Sequence, residues 1–140
     1  MNRSAQAHWA GDLKTGRGHI KLGSGAYEGP YSFGTRFEGV PGTNPEELLG
    51  AAHAGCYSMA LGLALQMAGH AAESINTIAT VHLEKGDAGF AIMKIELKTR
   101  VRAPGLAAAD FARMADETKT GCIVSRALAS VPMELDAILE

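Results

Sequence analysis

Residues 48–67 constrain the fold most, because none of them carries an acidic or basic side chain except His53. The length approaches that of a membrane-spanning helix. The segment is rich in Ala and Gly, however, and lacks the dense Leu, Ile, Val and Phe content and the basic flanks of such a helix. We therefore expect a soluble protein in which this helix is buried on all sides. In a chain of 140 residues, such burial suggests a second subunit.

A helix start precedes this segment. Asn44 is a good N-cap, Pro45 fits the first helical position, and Glu47 falls where its side chain can close a capping box. We expect the helix to run to about Ala68 and to end at Gly69. Helical spacing predicts one apolar stripe, made of Leu49, Ala52, Cys56, Met59, Leu63 and Met67.

The segments on either side of this helix predict strands. Short runs at residues 5–9, 19–22 and 31–37 are punctuated by glycines, which is typical of a meander of strands and turns. Alternating side chains at residues 75–83 and 93–101 predict a hairpin after the helix.

The last third predicts two helices and a final strand. Helical spacing covers residues 107–120 and stops at Gly121, which leaves Cys122 at a break. A short helix to Ala129 and an alternating strand at residues 131–137 complete the chain. The order of elements indicates a single α+β domain over residues 1–140, with mainly antiparallel pairing.

Composition and charge exclude several classes of protein. Hydrophobic residues make up 46% and charged residues 20% of the chain, a balance typical of folded globular proteins. The net charge of -2 gives no reason to expect nucleic acid or an anionic membrane as a partner. The first residues lack the apolar core of a secretory signal, so we expect a cytoplasmic protein. Because permanent disulfides are rare there, any pairing of the two cysteines should be transient chemistry.

The two cysteines are the first candidates for chemistry. Cys56 lies in the middle of the long helix, where an inert buried thiol is the plainer interpretation when the residue is considered alone. Cys122 begins a helix, where backbone N–H groups and the helix dipole stabilise a thiolate. The two are 66 positions apart, and periodicity does not prove that they meet.

Glu46, Glu47 and the histidines have plain structural interpretations as well. Helical geometry places Glu46 about 80° from Cys56 around the axis, so both can border one cleft, although Glu46 alone fits a helix-dipole role. His53 and Cys56 share a helix face and could be two metal ligands. No second close pair completes a set of four, so we expect no metal. The other histidines fit surface or half-buried positions: His8, His19, His70 and His82.

Two motifs around the cysteines resemble those of the OsmC/Ohr family, the osmotically inducible and organic hydroperoxide resistance proteins. The first is TNPEEL at residues 43–48 with AAHAGCYSMA at 51–60, and the second is GCIVS at 121–125. Shorter agreements extend the resemblance over nearly the whole chain: QAHW at 6–9, TRFEG at 35–39 and DAGFAI at 87–92. The TRFEG and AHAxC forms are similar to the OsmC branch rather than the Ohr branch.

The resemblance implies an OsmC-like fold, with sheets around a long central helix, in an intertwined homodimer that has two active sites at its interface. It implies a peroxidase without metal, haem or flavin, in which Cys56 attacks an organic hydroperoxide and Cys122 resolves the product. Arg36 and Glu46 match the supporting arginine and glutamate, with Arg17 as the weaker alternative to Arg36. A small dithiol, such as a lipoyl-type one, would then reduce the disulfide, in defence against oxidative or osmotic stress.

Two questions stay open at the level of sequence. The same thiol pair would also suit a redox sensor that switches a partner, and an apolar dimer with inert cysteines would suit ligand binding.

The family usually has proline directly after the resolving cysteine, whereas this chain has Ile123, which keeps its backbone N–H. We also expect Met59, Phe33 and Phe37 to contribute to an apolar pocket that favours alkyl or fatty-acid hydroperoxides over hydrogen peroxide.

Overall fold

The computed structural model describes all 140 residues and contains two compact units, Met1–Leu48 and Leu49–Glu140. The boundary falls within the long helix. Each unit has its own three-stranded sheet. The single domain expected from the sequence stays a prediction.

The first unit begins with an antiparallel meander. Strands β1 (Ala5–Ala10), β2 (Arg17–Leu22) and β3 (Glu28–Tyr31) lie side by side in that order. The turn between β1 and β2 is fixed by Asp12, whose side chain accepts hydrogen bonds from the backbone N–H groups of Lys14 and Thr15. The two runs predicted at residues 5–9 and 19–22 are therefore strands.

The third predicted run is wrong beyond its first residue. Residues Phe33–Phe37 form a short helix, α1, instead of continuing the strand. Ser32 Oγ accepts from the backbone N–H of Thr35 at 3.2 Å, and Thr35 Oγ1 accepts from the N–H of Ser32 at 2.9 Å. This reciprocal capping box outweighs the β-propensity of the aromatic residues, because it satisfies two backbone donors locally.

Helix α2 (Pro45–Met67) has the predicted bounds and the predicted N-cap. Asn44 Oδ1 accepts from the N–H of Glu47 at 2.8 Å. The side chain of Glu47 accepts from the hydroxyl of Thr43 at 3.4 Å and not from the backbone N–H of Asn44. The predicted capping box is therefore wrong, and Asn44 caps the helix without it. At the other end Gly69, with φ of 84°, reverses the chain as expected.

The face of α2 that packs within the chain is not the predicted stripe. The buried face contains Gly50, His53, Tyr57, Leu61 and Leu65. Gly50 of this face lies against the second sheet, where a Cβ added to it would come within 3.0 Å of the carbonyl oxygen of Ala79. Helical spacing alone could not choose between the faces, because apolar residues surround the helix.

The predicted stripe of α2 is largely exposed in the single chain. Met59, Leu63 and Met67 have 79%, 57% and 81% of their surfaces exposed. By length and composition the helix could cross a membrane, and 28% of its most apolar window is buried. The expectation of burial on all sides is therefore not met by one chain alone.

The second unit contains the predicted hairpin. Strands β4 (Ser74–Gly86) and β5 (Gly89–Arg102) pair antiparallel with Thr77 opposite Thr99, and a bulge lies between His82 and Leu83. Strand β6 (Met133–Leu139) pairs with β5 in parallel. The sheets are thus mainly antiparallel, with one parallel pairing.

Helices α3 (Ala108–Gly121) and α4 (Ile123–Ala127) precede β6, and Cys122 lies between them. Helix α4 ends two residues before the predicted Ala129. The core of this unit is formed by Tyr57, Leu61, Leu65, Leu97, Val101, Ala103, Leu106, Phe111, Ala115 and Cys122.

Candidate active site

The second unit brings the two cysteines together. Cys56 comes from the middle of α2 and is half-buried, and Cys122 comes from the junction of α3 and α4 and is 2% exposed. Both are free thiols, and the two side chains lie near enough to each other for Cys122 to raise the pKa of the Cys56 thiol. The packing of α2 against α3 and α4 therefore closes the gap of 66 positions in the sequence.

Backbone N–H groups in the first turn of α4 donate hydrogen bonds to both sulfur atoms. The backbone N–H of Val124 donates to Cys56 Sγ at 3.5 Å, and that of Ser125 donates to Cys122 Sγ at 3.3 Å. Cys122 is thus the N-cap of α4. The backbone N–H of Ile123 also lowers the pKa of the Cys56 thiol. Proline at that position would have no hydrogen to donate.

Burial controls the acidity of Cys56 in this unit. Burial raises the pKa of the Cys56 thiol above its ordinary value, and the neighbouring Cys122 raises it further. The N–H groups of Val124 and Ile123 act in the opposite direction but do not reverse the shift. No cation is among these influences, so Cys56 is held as a thiol by the groups of Leu49–Glu140.

A buried histidine lies at the end of a hydrogen-bond chain from Cys122. Cys122 Sγ is 3.1 Å from Ser125 Oγ, which is 2.8 Å from His53 Nε2. His53 is completely buried and Ser125 is 3% exposed. Burial lowers the pKa of the His53 imidazole, which is therefore neutral at pH 7.

The first unit brings Arg36 and Glu46 together. Glu46 Oε2 accepts from Arg36 Nε at 3.1 Å, and Oε1 accepts from Arg36 Nη2 at 2.6 Å. The Glu46 side chain is 11% exposed and that of Arg36 is 38% exposed. Two parallel hydrogen bonds to a nearly buried carboxylate fix the plane of the guanidinium group. Arg17, the alternative arginine, lies exposed on β2.

Arg36 also lines an apolar cavity of about 290 Å³ within the first unit. Its guanidinium carbon lies 5.2 Å from the centre of the Phe37 ring. Phe33 and Phe37 line the cavity as expected, and the contribution of Met59, a residue of the second unit, stays a prediction. The other lining residues are Trp9, Leu13, Tyr31, Ser32 and Pro45.

The sequence matches known proteins over most of its length. Residues 37–136 match the family model of the OsmC-like proteins. The chain belongs to the OsmC-like protein family. Over 129 residues it is 53% identical to Peroxiredoxin OsmC of Escherichia coli K12, covering 91% of this chain and 90% of that protein. The same values hold for Peroxiredoxin OsmC of Shigella flexneri.

Solved structures have the same fold as this OsmC-like protein. The organic hydroperoxide resistance protein OsmC of Legionella pneumophila has a TM-score of 0.75 at 22% identity, covering 99% of this chain and 97% of that one. OhrB of Bacillus subtilis has a TM-score of 0.69 at 21% identity, covering 98% of each chain. The predicted OsmC-like fold is therefore confirmed.

Sequence reasoning missed the partnership of His53 and Ser125 in this OsmC-like protein. The sequence suggested His53 only as one of two metal ligands, with no metal expected, and in the structure His53 Nε2 is hydrogen-bonded to Ser125. No group of three or more His, Cys, Asp and Glu side chains is arranged to hold a metal ion. The spacing of three residues between Cys122 and Ser125 fits an N-cap bond, but it gives no indication of His53.

The buried imidazole predicts how stability depends on pH. Because the pKa of His53 is lower in the folded state than its ordinary value of 6.5, the unfolded chain binds a proton there more readily. The contribution of His53 should be fully present above about pH 6.5 and should fall as pH drops towards the folded pKa. Urea unfolding at pH 7.5 and pH 5.5 measures it. The loss between these pH values should be smaller in His53→Gln, and an equal loss in both proteins would contradict the prediction.

Proposed function

We propose that this protein is a cysteine-based peroxidase that reduces organic hydroperoxides to alcohols in the cytoplasm, in defence against oxidative or osmotic stress. The observation that carries the proposal is the contact between two free thiols, Cys56 and Cys122, in a chain 53% identical to proteins named Peroxiredoxin OsmC. A half-buried thiol beside a buried one suits an attacking and a resolving cysteine, because only the first must reach a substrate.

The reaction then has two steps. The Cys56 thiolate attacks the terminal oxygen of the hydroperoxide, the O–O bond breaks, and the alkoxide leaves and takes a proton to become the alcohol. Cys56 is left as a sulfenic acid. Cys122 attacks that sulfur, the S–O bond breaks, and the Cys56–Cys122 disulfide forms with release of water. A small dithiol, which we propose to be of the lipoyl type, reduces the disulfide by exchange.

A cation is needed for the first step, because burial raises the pKa of Cys56 within its own unit. We propose that Arg36 provides it and stabilises both the thiolate and the departing alkoxide. The two hydrogen bonds that Arg36 donates to Glu46 support this role, since they orient the guanidinium before substrate binds. Arg17 has no such carboxylate in the ion pairs of the first unit.

The substrate preference is proposed from the cavity that Arg36 lines. Its lining is aromatic and apolar, and this guanidinium is its charged group. An alkyl or aryl chain gains free energy by leaving water for such a cavity, whereas hydrogen peroxide has no apolar surface to bury. We therefore propose organic hydroperoxides as the substrate class.

A second copy of the chain is proposed as the partner that covers the exposed face of α2. Met59, Leu63 and Met67 lie in line on that face, and three large exposed apolar side chains in a row are typical of an interface. The proposal of a homodimer also explains why the helix is apolar all round, since one chain buries only the opposite face.

Steady-state kinetics with the two cysteine variants test the peroxidase proposal. Cys56→Ser should abolish turnover, and Cys122→Ser should consume about one equivalent of peroxide and then stop. In the wild type, kcat/KM should be higher for cumene hydroperoxide than for hydrogen peroxide. Repeated turnover with dihydrolipoamide separates a peroxidase from a redox sensor. Full activity of Cys56→Ser would mean that the assignment is wrong.

Substitution of the two candidate arginines tests the source of the cation. Arg36→Ala should slow the oxidation of Cys56 by cumene hydroperoxide about 100-fold, because a charged donor at the reacting atoms is lost. Arg17→Ala is the matched control and should stay within about twofold of wild type. Single-turnover loss of the Cys56 thiol gives both rates. A larger loss in Arg17→Ala would reverse the assignment.

A charge on the exposed face of α2 tests the homodimer. Leu63→Asp should shift the wild-type dimer towards monomer, since burying an unpaired carboxylate costs several kcal/mol. Ile78→Asp is the control, because Ile78 is 67% exposed on β4 and away from this helix face. Sedimentation velocity measures both, and a monomeric wild type would contradict the dimer.

A further inference from the structure

His53 has no structural explanation in the packing of the second unit. It lies on the buried face of α2, one turn before Tyr57, where an apolar side chain would pack without a polar atom to satisfy. Its Nδ1 atom is buried and has no hydrogen-bond partner. An unsatisfied buried polar atom destabilises the folded state, so a residue that carries one needs another reason to be there.

The hydrogen bond of Nε2 suggests that reason. It connects the imidazole to Ser125 Oγ at 2.8 Å, and that oxygen is in turn hydrogen-bonded to Cys122 Sγ at 3.1 Å. A serine hydroxyl has one hydrogen to donate and can accept at the same time. Ser125 can therefore accept the thiol proton of Cys122 while it donates its own proton to Nε2.

Cys122 is held in place for such a transfer. The backbone N–H of Ser125 donates to Cys122 Sγ at 3.3 Å, so the same residue fixes the sulfur and contacts its proton. All three side chains are at most 3% exposed, which keeps bulk water from taking the proton directly. Burial also lowers the pKa of His53, so its lone pair is available at neutral pH.

We propose that His53, acting through Ser125, is the base that removes the proton of Cys122 when this thiol attacks the sulfenic acid of Cys56. The inference rests on the peroxidase function proposed above and assigns a base to its second step. The base acts on the resolving cysteine, whereas Arg36 is proposed to act on the attacking one.

The protons and electrons of this step balance. The proton of Cys122 moves to Ser125 Oγ as the serine proton moves to His53 Nε2, which leaves a thiolate and an imidazolium. The thiolate sulfur attacks Cys56 Sγ and is oxidised, the Cys56 sulfur is reduced, and hydroxide leaves from the broken S–O bond. The imidazolium returns its proton by way of Ser125, and hydroxide becomes water. His53 and Ser125 are then unchanged.

Proton transfer from Cys122 through Ser125 to His53 is called the relay below. Separate measurement of the two steps of the reaction tests it. Rapid mixing with cumene hydroperoxide, followed by acid quench and mass spectrometry, gives the rates of sulfenic acid formation and of its conversion to the disulfide. His53→Gln introduces an amide whose N–H can donate a hydrogen bond to Ser125. This amide is not a base, so it cannot take up the proton. Ser125→Ala removes the connecting hydroxyl. Each should slow disulfide formation about 10- to 100-fold and leave sulfenic acid formation within about twofold of wild type.

Two controls separate the relay from a structural role. Ser125→Thr keeps the hydroxyl and should restore disulfide formation to within about threefold of wild type. Ser58→Ala removes a serine of α2 whose hydroxyl donates to Thr77 at 2.8 Å, and should change neither step. If His53→Gln does not fold, Ser125→Ala together with Ser125→Thr decides the question.

Wild-type disulfide formation in His53→Gln, or in Ser125→Ala, overturns the relay while leaving the peroxidase function intact. Equal slowing of both steps also overturns it, since a base for Cys122 acts only on the second. A wild-type protein that forms no sulfenic acid contradicts the peroxidase function itself, and the relay fails with it.

Discussion

The close contact between α2 and the second sheet determines where the chemistry of this unit lies. Gly50 approaches the carbonyl oxygen of Ala79, Ser58 donates to Thr77, and Gly62 lies beside Ile75, so the helix runs along β4 in the opposite direction. Small residues at these points allow the approach. With Gly50, Ser58 and Gly62 against β4, His53 and Cys56 form hydrogen bonds with residues of α4.

The surroundings of the two cysteines differ in a way that fits two different tasks. Cys56 is half-buried and receives backbone N–H groups, yet burial keeps its pKa high. Cys122 is almost completely buried and has hydrogen bonds to both the hydroxyl and the N–H of Ser125. A thiol that reacts with a substrate needs a nearby cation to lower its pKa. A thiol that reacts only with a neighbouring sulfur can lose its proton to the buried groups to which it is hydrogen-bonded.

The fold could be predicted from the sequence where local signals agree. Asn44 and Gly69 indicated the ends of α2, and the alternation of apolar and polar side chains indicated the β4–β5 hairpin. Helix α1 was missed, because its capping box uses Ser32 and Thr35 inside a run of aromatic residues that favours a strand. The buried face of α2 was missed as well, since a helix that is apolar all round gives periodicity nothing to distinguish.

The candidate site could be predicted only in part. The family motifs indicated Cys56, Cys122, Arg36 and Glu46, and the structure forms the contact between the two cysteines and the ion pair between the other two. The bond between His53 and Ser125 spans 72 positions, and no local pattern connects residues so distant. This bond forms only because α2 packs against α4 in the folded chain.

Cys122 is also the N-cap of α4, a helix of only five residues. The sulfur that receives the N–H of Ser125 in the reduced protein is the one that would bond to Cys56 on oxidation. A cap on so short a helix is a large part of what holds it together, because a single turn has few hydrogen bonds of its own. In the proposed reaction cycle the order of α4 would therefore depend on the redox state of the protein, and the amide protons of α4 would report each oxidation and reduction.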